Sequence, residues 1–190
     1  MSAARGDARG FVGLFLGPEL GACLAERVTA TLDPARFRLA RPATLHLTLA
    51  FLGSLARERF ESLAAALAAS LGVAPAPELR LAGTGAFPDA RRARVLWVGV
   101  SEPRAGELAG LRTAVLAGVA ENGMALAREE RFHPHVSVAR PRHAATPAPT
   151  PFLQLALDLA WRPCELALVE SVPGPEGSRY EPRARFPLAT

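Results

Sequence analysis

The sequence holds no lysine: all 22 of its basic residues are arginine, set against 18 acidic ones for a net charge of +4. Any anion it meets is therefore gripped by the planar, many-donor guanidinium rather than by a point charge. That balance hints at an anionic partner and no more, because a lysine-free, alanine-rich habit is also what genomic base composition produces. Cysteine is equally scarce. Cys23 and Cys164 stand far apart, and neither has a partner at metal-ligand spacing. This speaks against a disulfide framework and a zinc site and fits a reducing cytoplasm. Long apolar runs are missing too, and none approaches the roughly 20 residues of a membrane span. Leu20-Gly21-Ala22-Cys23 has the outline of a lipoprotein cleavage box, but Gly17-Pro18-Glu19 sets a breaker and a charge directly before it, so export is not expected.

What is present is enough for a core. At 190 residues, 49% hydrophobic and 21% charged, with a mean hydropathy of +0.15, the chain is too apolar to be disordered. Its length suits one compact, two-lobed domain over residues 1–190. Phe11 to Leu16 reads as a buried strand, and Pro18 to Leu32 as a helix with Leu20, Cys23, Leu24 and Val28 at spacings of three and four. Leu45 to Leu52 is strand-like, Ala56 to Leu71 a second helix closed by Gly72, and Glu78 to Phe87 and Arg94 to Val100 a hairpin turning at Pro88 to Arg92. Pro103 to Asn122 supports a third helix. The segment 142–151, with Pro147, Pro149 and Pro151, is a loop, and Phe152 to Trp161, Cys164 to Ser171 and Arg183 to Leu188 are the last strand candidates. Such irregular alternation predicts an α+β fold in place of a doubly wound one.

Histidine is also rare, four in all, and two of the four sit in near-duplicate ribbons. His46-Leu47-Thr48-Leu49 is echoed by His135-Val136-Ser137-Val138, each reading His, apolar, hydroxyl, apolar. Alternate side chains of a strand share a face, so His46 and Thr48 point one way while Leu47 and Leu49 turn into the core; the second copy behaves alike. The two histidines lie 89 positions apart (135 minus 46), close to half the chain. Halves packed about a pseudo-two-fold axis would bring two imidazoles and two hydroxyls to one cleft. That set suits phosphodiester chemistry, in which a base takes a proton from the attacking oxygen and an acid gives one to the leaving oxygen. Imidazole, with a pKa near 6.5, serves either role around neutral pH. The hydroxyls of Thr48 and Ser137 would hold the non-bridging oxygens.

These residues resemble the 2H phosphoesterase superfamily, and within it the RNA 2′,3′-cyclic phosphodiesterases, or 2′-5′ RNA ligases of the ThpR/LigT type. Leu45 to Gly53, LHLTLAFLG, is similar to the first signature of that family, and Arg131 to Arg140, RFHPHVSVAR, to the second. Arg9 to Leu14 resembles its opening strand, and Gly177-Ser178-Arg179-Tyr180 followed by Phe186-Pro187-Leu188 its closing segment. The resemblance implies a bilobal, pseudo-two-fold α+β architecture: two antiparallel-rich sheets face a central cleft, with helices on the outer faces. It implies His46 as proton donor and His135 as proton acceptor, with Thr48, Ser137 and Arg140 binding substrate phosphate, and it implies no metal and no cofactor. The partner it implies is RNA or a nucleotide ending in a 2′,3′-cyclic phosphate, opened to the 2′-phosphomonoester, with reversible 2′-5′ RNA ligation as a second reaction. A cytoplasmic monomer without membrane attachment is expected.

The ribbons themselves are symmetric and leave the donor and acceptor roles interchangeable. Ser137 stands where threonine is commoner in the family, keeping the hydroxyl and losing only the stiffening methyl. Arg140 has the wrong strand parity to share a face with His135 and Ser137, so it reaches the cleft only if the strand ends or bulges near Ala139. Phe11 and Phe51 are candidates for a base pocket, and Arg91, Arg92 and Arg94 read as a solvated hairpin turn or an RNA contact. His133 is expected beside the cleft or exposed, His143 solvated, and Gly83-Thr84-Gly85 a bulge or turn. Two other functions fit the same groove: a non-catalytic binder of RNA ends, and a sister enzyme acting on another cyclic phosphate or on 2′-5′ oligonucleotides.

Overall fold

The computed structural model describes residues 8–124, 126, 132–174 and 177–189. Strand β1 (Ala8–Phe15) leads through Gly17, whose φ of 79° suits glycine, into α1 (Pro18–Thr29). Pro18 sits in the first helical turn, where its missing N–H costs nothing. The cleavage-box residues Leu20 to Cys23 thus lie inside a helix that buries Gly21, Leu24 and Val28. After β2 (Phe37–Leu39) and a 3-10 turn at Pro42–Thr44 comes β3 (His46–Leu55). Helix α2 (Arg59–Leu71) buries Phe60, Leu63, Leu67 and Leu71, one per turn, and ends at Gly72 as its sequence foretells. Hairpin β4 (Leu79–Phe87) and β5 (Val95–Ser101) is followed by α3 (Glu107–Glu121), β6 (His135–Pro141), α4 (Thr150–Leu153), β7 (Asp158–Trp161), β8 (Glu165–Val172) and β9 (Arg179–Pro187).

Among the described residues every strand ladder is antiparallel, as expected for this α+β chain. One half runs β7-β4-β5-β6 and the other β3-β1-β8-β9. Where two sheets are expected, the halves join through a single registered pair, Leu47 with Val136, into one nine-stranded sheet. Strand β2 pairs with β6 beyond that seam. Helices α1, α2 and α3 bury their apolar stripes in the same core as Val12, Leu14, Leu47, Val98 and Val136 of the sheet. At the seam, the side chains that point away from this core line an open cavity.

Three elements differ from the sequence reading. Phe152 to Trp161 is not one strand: Pro151 opens the short helix α4, Phe152 is fully buried and its carbonyl accepts the Thr84 hydroxyl (3.0 Å), and only Asp158–Trp161 pairs with β4. Helix α3 starts at Glu107 rather than Pro103, because the Glu102 carboxylate accepts the backbone N–H groups of Gly106 and Leu108 and caps the helix there. Strand β9 begins at Arg179, earlier than expected, since its backbone pairs with β8 from Val172 onward. The Gly83 segment is the expected bulge, with φ of 70° at Gly83 and a register shift between Leu81 and Thr84. Among the described residues, no helix is long and apolar enough to cross a membrane.

Candidate active site

The two ribbons meet at the seam. The antiparallel pair Leu47 and Val136 leaves His46 and Ser137 to one side of it and Thr48 and His135 to the other. A local two-fold axis therefore passes through the seam, with each imidazole on the same side of that pair as the hydroxyl of the other ribbon. His46, Thr48, His135 and Ser137 all line one open cavity of about 190 Å³. Leu47, Leu49, Val136 and Val138 are buried behind them, as period-two alternation demands.

The repeat is longer than four residues, because a bulge is duplicated with it. On β5, Leu96 and Trp97 are consecutive, yet they pair with Ala139 and Ser137, leaving Val138 as the extra residue of β6. On β1, Val12 and Gly13 pair with Ala50 and Thr48, leaving Leu49 extra on β3. Two successive residues are then buried in each ribbon, Leu49 with Ala50 and Val138 with Ala139, and beyond them the alternation is reversed. Arg140 thereby turns to the cavity. The same reversal brings Phe51, 55% exposed, to the cavity from the other half. His46-Leu47-Thr48-Leu49-Ala50-Phe51 and His135-Val136-Ser137-Val138-Ala139-Arg140 are one motif with a different last residue.

Both imidazoles are held the same way. His46 donates Nδ1–H to the Thr44 carbonyl and His135 donates Nδ1–H to the His133 carbonyl, each at 2.7 Å. A carbonyl only accepts, so Nδ1 carries the proton and Nε2 is left for the cavity. Surroundings differ. His46 stacks on Phe11 with centroids 4.6 Å apart, and Phe15 and Tyr180 lie 5.2 and 5.1 Å away. Gly13 makes this possible, since a Cβ there would stand 2.8 Å from the Leu47 carbonyl and 3.3 Å from the Phe11 ring. Burial in this nest drives the His46 pKa from 6.5 down to about 4, against the hydrogen bond to Thr44 and with help from the charge of His135. His135 has Phe87 at 5.0 Å and Trp97 at 6.3 Å. Gly85 clears the space for Trp97, because a Cβ there would meet the indole at 2.2 Å. The pKa of His135 is also lowered, first by burial and then by the charges of His133 and Arg140, while its hydrogen bond to the His133 carbonyl works the other way.

Phe11 is therefore a floor for His46 and is buried, not a base contact; Phe51 is the aromatic free to meet a ligand. His133 is exposed and packs on Trp97 at 4.6 Å, His143 is exposed, and Arg91, Arg92 and Arg94 are exposed at the hairpin turn. Arg131 of the second signature lies outside the described residues. Sequence reasoning passed over Tyr180, the single tyrosine, which lines the cavity; burial raises its pKa while Arg140 and Arg41 pull it down. It also passed over Arg38 and Arg41, which line the cavity beside Arg140. The register of β2 was the missing signal, since it places Arg38 directly opposite Arg140. Among the described residues, no three of His, Cys, Asp and Glu gather as a metal-binding group.

Two half-sites, each giving one imidazole and one hydroxyl to a shared cavity on an antiparallel sheet, define a two-histidine phosphoesterase architecture. The chain belongs to the 2′-5′ RNA ligase superfamily, whose model matches residues 19–174. It is 34% identical over 184 residues to an RNA 2′,3′-cyclic phosphodiesterase of Thermus thermophilus, covering 94% of this chain and 89% of that one. A second relative of the same description, from Aquifex aeolicus, is 32% identical over 133 residues, 70% of each chain. The crystal structure of Escherichia coli LigT complexed with 3′-AMP superposes with a TM-score of 0.76 at 25% identity, covering 97% of this chain and 99% of that one.

Proposed function

We propose that this protein is an RNA 2′,3′-cyclic phosphodiesterase that opens the cyclic phosphate at an RNA or nucleotide 3′ end to a 2′-phosphomonoester. The observation that carries this reading is the convergence of both ribbons on one cavity, two Nε2 atoms and two hydroxyls together. Relatives that align with 70% and 94% of the chain are named for that activity.

In the proposed reaction the phosphorus lies between the two rings. Nε2 of His135 takes a proton from water as the water oxygen bonds to phosphorus. The bond from phosphorus to the 3′ oxygen breaks on the opposite side, and Nε2–H of His46 protonates that oxygen. Thr48 and Ser137 donate hydroxyl hydrogens to the non-bridging oxygens, and Arg140 balances their charge. The nest around His46 favours the donor role. A ring whose pKa is depressed to about 4 is a strong acid once protonated, and the negative phosphate in a low-dielectric cavity offsets the cost of charging it. With a 5′-hydroxyl in place of water the same step forms a 2′-5′ linkage as the bond to the 3′ oxygen breaks, and in the cleavage of that linkage back to the cyclic phosphate the two histidines exchange roles. The chain acts as one two-lobed domain and as a monomer, because a single polypeptide supplies both half-sites, and its two free cysteines suit the cytoplasm. Thr48, Ser137, Arg140 and the histidines complete the chemistry without a metal ion or cofactor.

The test is conversion of a nucleoside 2′,3′-cyclic phosphate to the nucleoside 2′-phosphate in excess chelator. Turnover that persists under chelation with a 2′-phosphate product supports the reading. Binding of RNA ends without turnover, or activity abolished by EDTA, overturns it.

A further inference from the structure

Charge in the cavity exceeds what one cyclic phosphate needs. Its described lining includes Arg38, Arg41 and Arg140 and no aspartate or glutamate. Among the described residues, the side chains of Arg38 and Arg140 have no ion-pair or hydrogen-bond partner, and Arg41 gives one N–H to the Ser178 carbonyl at 3.3 Å. A cyclic phosphodiester carries a single negative charge, which Arg140 and one protonated imidazole already meet. Two unpaired or half-used guanidiniums beside it are costly for a site that takes only a mononucleotide, since like charges gathered in a cavity repel one another.

Their placement has a direction. Strand β6 is paired with β3 at its His135 end and with β2 at its Arg140 end, where Arg38 stands opposite Arg140. Moving along β6 away from the imidazoles, the surface passes Arg38 and Arg140, then reaches the exposed Arg142 and Arg36. Arg36 and Arg142 are themselves oriented, the first onto the Thr146 hydroxyl and the second onto the Pro34 carbonyl. Arg41 approaches from the 3-10 turn side, near enough to Tyr180 for its charge to bear on the phenol. The guanidiniums thus form a file leading out of the cavity. An RNA whose cyclic phosphate lies between the histidines has all its other phosphates on one side, toward its 5′ end.

We infer that Arg38 and Arg41 form a second phosphate subsite, which holds the phosphodiester immediately 5′ of the terminal nucleoside and makes an RNA strand, rather than a cyclic mononucleotide, the substrate to which the cavity is matched. The inference rests on the proposed phosphodiesterase reading. It adds a substrate-length preference that the two histidines and hydroxyls do not themselves require.

The experiment compares a nucleoside 2′,3′-cyclic phosphate with a trinucleotide bearing the same terminal base and cyclic phosphate, for the wild type and for Arg38→Ala/Arg41→Ala. A fluorescent trinucleotide ending in 2′-phosphate is titrated alongside, a measurement that needs no turnover. The wild type is expected to favour the trinucleotide by at least tenfold in kcat/KM. In the double variant that ratio falls toward one, the Kd for the labelled trinucleotide rises tenfold or more, and the slope of log affinity against log salt shrinks by about 0.7, the value for one lost single-strand phosphate contact. Arg38→Lys/Arg41→Lys, which keeps the charges, retains most of the slope. A length preference absent from the wild type, or trinucleotide affinity unchanged in the double variant, overturns the subsite while leaving the activity intact. If neither substrate turns over yet binding still depends on Arg38 and Arg41, the subsite stands and the phosphodiesterase reading falls.

Discussion

His46 rests on Phe11, Phe15 and Tyr180, a floor continued by Ala167 and Val169, whereas His135 rests on Phe87 and Trp97 with a second imidazole, His133, beside it. The ribbons are the same six residues long, share one bulge and hold their imidazoles by the same carbonyl bond. What differs is the sheet beneath them. Strand β1 offers two phenylalanines around Gly13, and β9 adds the tyrosine; β5 offers a tryptophan and then Gly99. The first hydrogen bond is part-buried and the second exposed. A duplicated backbone thus fixes where the two Nε2 atoms stand, while the floor sets how readily each ring carries a proton.

The largest effect breaks the symmetry question itself. His46→Ala and His135→Ala are each expected to lower kcat on a 2′,3′-cyclic phosphate by about 10³-fold, within the range for loss of a positioned acid or base. The double variant should lose little beyond either single one, because the two act in one step. Single-turnover rates check this. A variant keeping a tenth of the wild-type rate would show that its ribbon is a scaffold and that the other imidazole works alone.

Stability in acid sharpens the contrast between the floors. Unfolded His46 binds a proton near pH 6.5, while the folded ring resists until about pH 4. Between those values the unfolded chain holds more protons, so acid favours unfolding, by up to about 3 kcal/mol at pH 4. Above pH 6.5 the ring is neutral in both states and contributes nothing to the pH slope. His46→Gln is therefore expected to lose less stability than the wild type between pH 7 and pH 4, measured by urea unfolding at each pH. His135→Gln, whose hydrogen bond is exposed, should recover less. Parallel curves for all three proteins would mean that the aromatic nest does not desolvate His46.

Local chemistry is legible in the amino-acid sequence, and long-range register is not. The His, hydroxyl and apolar alternation places His46 and Thr48 on one face by strand geometry alone, and Gly72 ends α2 by backbone preference. That the two ribbons share a cleft follows from their duplication. That they meet through one residue pair, making a continuous sheet, depends on pairing between segments 89 positions apart, which carries no local signature. Arg140 was legible as a conditional: its parity demanded a bulge, and the bulge is there. Arg38 was not, because only its place opposite Arg140 on β2 gives it meaning. Phe152 misled because an apolar run after a proline-rich loop suits a strand or one buried helical turn equally well, and Pro151 decides for the turn.

The smallest predicted effect lies where the two motifs part, at Phe51 and Arg140. Both are aimed into the cavity by the same bulge, so the halves use one geometric device to present an aromatic face and a cation. An exposed phenyl ring beside the proposed phosphate site suits a nucleobase, whose stacking on an aromatic side chain contributes about 1–3 kcal/mol. Phe51→Ala should therefore raise KM about tenfold, with kcat nearly kept, and more for purine than for pyrimidine ends because the purine offers the larger face. The loss should not depend on salt. Arg140→Ala should weaken all bases alike and flatten the salt dependence, the mark of a phosphate contact. Steady-state kinetics on four cyclic nucleotides at two ionic strengths separates the two patterns. Should Phe51→Ala weaken every base equally while Arg140→Ala discriminates among them, the division of labour is reversed: the guanidinium plane would be the stacking surface and the ring only a wall of the cavity.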